Sequence, residues 1–283
     1  MGVSVVTKDP GAVEEAVQRI YLDLFPNGGS DFVPRIFDWV GRCFSGRQAG
    51  YQAVDAIYHD FEHTLQGTLC MARLLQGRHH AGAEPRIPRR VFELGMAAIL
   101  LHDTGYLKTS DDQEGTGAKY TVSHVDRSAA FAALLLSQKG FSRADIVAVQ
   151  NMIQCTGVIA KINGIPFQSE VERVAGLCLG TADLLGQMAA ADYVEKLPAL
   201  HEEYAEAVRF SGEKAQSIAG FSSAEDLVRK TPGFWDRFAK VKLANEFEGV
   251  FRFLSDPYPD GPNDYLDRIE ANIDRLRGSL AAA

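Results

Sequence analysis

Three short stretches hold the histidines and acids with catalytic or ligating potential. The first, Tyr58–His63, reads YHDFEH. His59 and His63 stand four residues apart, which on a helix puts them on one face, one turn apart. Gly67 and Cys70 continue that face, and Gly67 leaves room for another element to approach closely. Phe61, Leu65, Leu69 and Ala72 form the core-facing stripe beside it. The alternative is a pair of exposed polar histidines.

The second stretch, Leu94–Gly105, reads LGMAAILLHDTG. An apolar helix runs into His102-Asp103, and Thr104-Gly105 then breaks it. A buried carboxylate at such a helix end is costly unless it is paired, hydrogen-bonded or bound to a metal. Two readings fit: a His-Asp pair offering ligand atoms to one point, or a structural hydrogen bond in the core. The third stretch, Gly180–Gly186, reads GTADLLG and sets Asp183 inside an apolar helix. Gly180 and Gly186 lie three residues to either side and again permit close approach. Asp192, in AAADYVEK, is a second acid nearby, at a helix boundary. His124, in YTVSHVDRS, falls in the first turn of a helix, where the helix N-terminus and Arg127 favour an anion. Its alternative is a solvent-exposed histidine. Lys108 and Arg127 are candidate phosphate contacts, with solvated surface charges as the alternative.

Helices must position these residues. Apolar residues recur at helical spacing, and no run of alternating β-branched residues or Asn-Gly hairpin signal occurs. The pattern predicts helices near 11–24, 31–45, 59–78, 89–103, 123–138, 142–154, 169–191, 192–210, 223–230, 234–255 and 263–277. Ser123 with Asp126 three residues on forms a capping-box pattern. Gly140 marks a helix stop. Pro232 is expected to open the next helix as its first residue. Asp256–Asn263, DPYPDGPN, is the clearest linker. The expectation is one all-α domain spanning 1–283, a central bundle with flanking N- and C-terminal helices.

In order, His63, His102-Asp103 and Asp183 resemble the HD-domain superfamily of metal-dependent phosphohydrolases, whose pattern is a His, a His-Asp doublet and a distant Asp on helices of one α-bundle. The likeness covers roughly 51–194. YHDFEH is most similar to the Y-H-N-x-x-H signature of the cyclic-nucleotide phosphodiesterase branch, with Asp60 in place of the usual Asn and Tyr106 where that branch commonly has another His. HDTGYLK also resembles the H-D-I-G-K signature of the cyclic-di-GMP phosphodiesterase branch, with Lys108 displaced. That branch carries a later His-His pair, whereas the pair here, His79-His80, comes too early.

The resemblance implies a phosphodiesterase-like HD bundle that hydrolyses a phosphoester, of a nucleotide or related small molecule, with metal-activated water. His63, His102, Asp103 and Asp183 would be ligands. Asp103 would bridge to a second ion assisted by His124, and His59 would be the general acid. One or two ions of Mn, Mg, Fe, Ni or Zn suit such mixed ligands. The resemblance also admits a di-iron oxygenase or a catalytically weak signalling or binding module.

Composition narrows the partners. In 283 residues, 46% are hydrophobic and 23% charged, which excludes wholesale disorder. A net charge of −8 argues against coating a nucleic acid but allows a small anionic substrate where metal ions supply local positive charge. Cys43, Cys70, Cys155 and Cys178 are scattered and read as buried thiols of a reducing compartment. The longest apolar run, Met96–Leu101, is too short to span a bilayer, and the first residues lack a secretory pattern. The expectation is therefore a cytoplasmic protein without a membrane partner, with a homodimer as the default assembly. Glu114–Lys119, EGTGAK, lacks phosphate-loop spacing and reads as a flexible loop near the site. Glu202, Glu203 and Glu206 read as a solvated face, with His201 on the surface. The aromatic residues Phe234, Trp235, Phe238, Phe247, Phe251 and Phe253 read as core packing between the last helices, or as a dimer surface.

Overall fold

The computed structural model describes residues 5–157 and 160–281. Helix accounts for 68% of the chain and no strand forms among the described residues, so the class is all-α. Tyr51 and Thr109 make an isolated β-bridge. The α-helices are α1 (Pro10–Leu24), α2 (Phe32–Phe44), α3 (Phe61–His80), α4 (Arg89–Leu101), α5 (His124–Gln138), α6 (Arg143–Ile153), α7 (Glu170–Met188), α8 (Tyr193–Ser211), α9 (Glu213–Ala219), α10 (Ala224–Phe234) and α11 (Asp264–Ala281). No single described helix is long and apolar enough to cross a membrane.

α3, α4 and α7 pack on one another at the centre, with α1, α2, α5 and α6 around them and α8, α10 and α11 closing the other side. α4 is buried from Phe92 to Leu101, as expected for a helix that is apolar all round. α3 and α7 meet without intervening side chains. A Cβ on Gly186 would lie 2.7 Å from the Gly67 nitrogen, and one on Gly67 would lie 3.7 Å from the Asp183 Cα. The four cysteines are free and buried. Burial pushes the Cys43, Cys155 and Cys178 thiols up to about 12, so they are inert at neutral pH.

Several helix ends differ from the sequence pattern. α3 begins at Phe61, two residues later than expected, because the Asp60 side chain accepts from the His63 N–H at 2.8 Å and holds Asp60 in an extended conformation. His59 therefore precedes the helix instead of sharing its face with His63. Asn and Asp are about equally good N-caps, so an Asn at this position could make the same bond. Ser123 makes no capping bond; its hydroxyl donates back to the Tyr120 carbonyl, and Asp126 accepts from Gln154 instead. The capping box that does form is Ser142 with Asp145.

Pro232 is buried inside α10 and opens no helix. Proline removes one helical N–H and crowds the carbonyl four residues back. Here the chain continues past it through two π-turns, Trp235–Ala239 and Lys242–Glu246, before a 3-10 turn at Val250–Leu254. The expected separate helix over 234–255 is thus the widened continuation of α10. At about 100° per residue, a regular α-helix would rotate Phe247 well off the face that carries Phe234 and Phe238. The wider turns keep Phe234, Phe238, Lys242 and Phe247 along one wall.

Candidate metal centre

Four elements deliver the central side chains. His63 comes from the first turn of α3, His102 and Asp103 from the end of α4, Asp183 from the middle of α7, and His124 from the first residue of α5. His63 Nε2 lies 3.1 Å from Asp103 Oδ2 and 3.3 Å from Asp183 Oδ1. His102 Nε2 lies 3.2 Å and 3.3 Å from the same two oxygens. All four residues thus point ligand atoms at one spot. His102 Nε2 and Asp103 Oδ2 are nevertheless buried with no hydrogen-bond partner. Two buried polar atoms left unpaired at the meeting point of two imidazoles and two carboxylates suit a cation between them.

The outer contacts fix this orientation. His102 Nδ1 donates to the Ile99 carbonyl at 2.7 Å, which turns Nε2 toward the carboxylates. His124 Nδ1 meets the Thr121 carbonyl at 2.6 Å and leaves Nε2 4.0 Å from Asp103 Oδ1. Asp103 therefore presents one oxygen to His63 and His102 and the other to His124. Gly105 makes room for His124: a Cβ there would sit 2.0 Å from the His124 carbonyl oxygen.

Charge follows geometry. Burial lowers the pKa of His63, but Asp103 and Asp183 outweigh it and raise it to about 9. The same balance raises His102 well above its ordinary value. Burial alone would raise Asp103 and Asp183, yet the two histidines hold both well below the usual carboxylate range. His124 goes the other way, lowered by burial. In the metal-free protein, protons on His63 and His102 offset the two acids. His63 keeps its proton below about pH 9, so an incoming ion must displace it. Metal uptake at pH 7 is expected to release at least one proton per ion, read with a pH indicator, and apparent affinity should fall as pH drops from 9 to 6. Uptake without proton release would contradict the ligand role of His63.

A second pair borders the first. His59 Nδ1 contacts Glu203 Oε2 at 2.5 Å, and Glu203 also accepts from the backbone N–H of Tyr58 at 2.7 Å and of His59 at 3.2 Å. Burial raises the Glu203 pKa, but His59 and the two N–H groups outweigh it and keep the carboxylate ionised. The Tyr106 ring stacks on His59 at 4.6 Å and on His124 at 4.9 Å between centroids. His59, His63, Asp103, His124 and Asp183 all line a cavity of about 740 Å³.

Of the three α8 glutamates expected on a solvated face, only Glu202 is exposed. Glu203 and Glu206 are buried, and Glu206 accepts from both the backbone N–H and the hydroxyl of Thr116. Those bonds pin the EGTGAK loop, which the sequence suggested would be flexible. Lys108 and Arg127 lie outside the cavity. Lys108 Nζ donates to the Gly115 carbonyl at 2.6 Å and pairs with Asp55 at 3.0 Å. Arg127 donates to the Gly105 and Leu107 carbonyls, each at 2.7 Å, and stacks on Tyr120. Both expected phosphate contacts are spent on holding loops. Asp192 sits at the start of α8, paired with Lys8 at 3.2 Å, away from the cluster.

Residues 109–246 match the model of the Npun_R2479-like family. That span holds His124, Asp183, Glu203 and the wall residues Phe234, Phe238 and Lys242, but not Phe247, His59, His63, His102 or Asp103. No curated protein matches the chain.

Proposed function

We propose that the chain is a metal-dependent phosphohydrolase of the HD-domain type, acting on a small phosphoester. The observation that carries this reading is the convergence of His63, His102, Asp103 and Asp183 with unpartnered buried atoms at its centre, beside a histidine held by an ionised glutamate. A divalent ion bound there lowers the pKa of water and offsets phosphoryl charge. His63, His102, Asp103 and Asp183 would hold it, and Asp103 with His124 offers a place for a second.

The protein's own groups supply the rest. Glu203 occupies Nδ1 of His59, so Nε2 is the ring nitrogen left to pass a proton to the leaving oxygen. Tyr106 stacked on His59 fixes the plane of that ring. The approach of His124 to the second oxygen of Asp103 favours one further reading, a two-iron oxygenase.

The test is metal analysis of protein purified without chelator, followed by assay on bis(4-nitrophenyl) phosphate with added Mn or Mg. Bound or added metal with chelator-sensitive hydrolysis is the expected result. Two equivalents of iron with turnover that needs oxygen would favour the oxygenase. Absence of hydrolysis with every metal would refute the phosphohydrolase.

A further inference from the structure

The cavity continues from the His/Asp cluster into a chamber between α8 and the widened end of α10. Leu197, Leu200, Phe221, Phe234, Phe238 and Phe247 face it. Phe234 and Phe238 stack at 5.2 Å and are only half-buried, so their rings remain available to a ligand. The same cavity is thus lined by the His/Asp cluster and by these apolar side chains.

Charge is scarce along this wall. Its described cations are Lys161 and Lys242, and no described arginine lines it. Lys242 is buried, pairs with Glu246 at 3.1 Å, donates to the Ala160 carbonyl at 3.4 Å, and lies over the Phe247 ring at 5.3 Å. A chain of several phosphates would therefore find little positive charge beyond the metal end. Both wall glutamines are also engaged. Gln187 donates to the Asp183 carbonyl and accepts from the Tyr58 hydroxyl, and Gln154 donates to Asp126. The polar edge of a nucleobase would find both of these amides already bonded to the protein.

Resting on the phosphohydrolase reading, we propose that the substrate is an amphiphile, with one phosphoryl head at the His/Asp cluster and an aliphatic or aryl body filling the aromatic chamber. Burial of the body supplies affinity, and the single head meets the one charged end.

The experiment is a chain-length series. Methyl, butyl and octyl 4-nitrophenyl phosphates are assayed with the metal-loaded full chain. kcat/KM is expected to rise about three- to fourfold per methylene until the chamber is filled. The 4-nitrophenyl ester of thymidine 5′-phosphate is expected to be slower than the octyl ester. A flat or falling series, or preference for the nucleoside ester, would overturn the inference and leave hydrolysis standing. Phe238→Glu should lower the octyl-to-methyl rate ratio by about tenfold or more, because a charge meets the chain. Phe234→Ser repeats this on the neighbouring ring should the first variant not fold. Binding is read separately by calorimetry with methyl- and octylphosphonate. Tighter octylphosphonate binding without turnover of any ester would keep the chamber assignment and discard hydrolysis. Equal binding of the two phosphonates would overturn the inference whatever the turnover.

Discussion

Asp103→Ala is expected to abolish metal binding and turnover together. Among the described residues, Asp103 is the one that faces His63, His102 and His124, through two different oxygens. Its removal takes away a proposed ligand and also one of the two charges, with Asp183, that raise His63 and His102. Metal at a hydrolytic centre offsets several kcal/mol of transition-state charge, which corresponds to a loss of roughly 10³-fold or more. A second readout does not need a substrate. An ion at a hundredfold excess over its Kd stabilises a folded protein by about 2.7 kcal/mol. Wild-type protein should therefore melt at higher temperature with Mn, and the variant should not respond. A variant that keeps both its metal and its melting shift would remove Asp103 from the centre.

His59→Ala should slow hydrolysis by about 10²- to 10⁴-fold, the range of a positioned general acid, while the metal content stays at the wild-type level. The leaving group supplies the finer test. A 4-nitrophenolate departs without help, whereas an alkoxide needs a proton, so the deficit should be larger for alkyl esters than for nitrophenyl esters. Glu203→Gln keeps the size of the side chain and gives up the charge at Nδ1. A hydrogen bond to a charged group contributes about 1.5–3 kcal/mol, so a loss of about 10- to 100-fold is expected, again largest for alkyl esters. Loss of metal from His59→Ala would assign His59 to the ion instead of the proton. Equal deficits for the two ester types would leave His59 a structural group.

The all-α class was legible because helical periodicity is a local signal, whereas the grouping of His63, His102, Asp103 and Asp183 came from the resemblance to the HD-domain pattern, with local sequence marking only the acids. An acid set in a run such as MAAILLHD or GLCLGTAD announces its burial within a few residues. Glu203 did not, because its partner His59 is distant in sequence and meets it only after α8 folds back over the start of α3. A signal was available: Glu203 stands three residues after Leu200 and four before Ala207, both buried on the inner stripe of α8. Lys108 and Arg127 were misread because a cation beside a candidate site looks alike whether it meets a phosphate or a loop carbonyl. Gly105 ends no helix by a special dihedral; it is small because α5 crosses it, a contact visible only in three dimensions. Pro232 opens no helix because packing of buried Thr231, Pro232, Trp235 and Ala239 holds the segment together.

The bare contact between Gly67 and Gly186 has a consequence for the choice of ion. His63 lies one turn from Gly67, and Asp183 lies three residues from Gly186. Main chain touches main chain there, so the spacing of the two backbones that carry these proposed ligands is fixed by packing. Magnesium sits about 2.0–2.1 Å from oxygen ligands, whereas calcium takes about 2.3–2.6 Å and more of them. Under the proposed reading, a larger ion would have to be met by rotation of the His63 and Asp183 side chains, because the two helices stand at a fixed separation along their tightest line. The seam would act as a calliper, setting the frame within which the side chains must fit the ion.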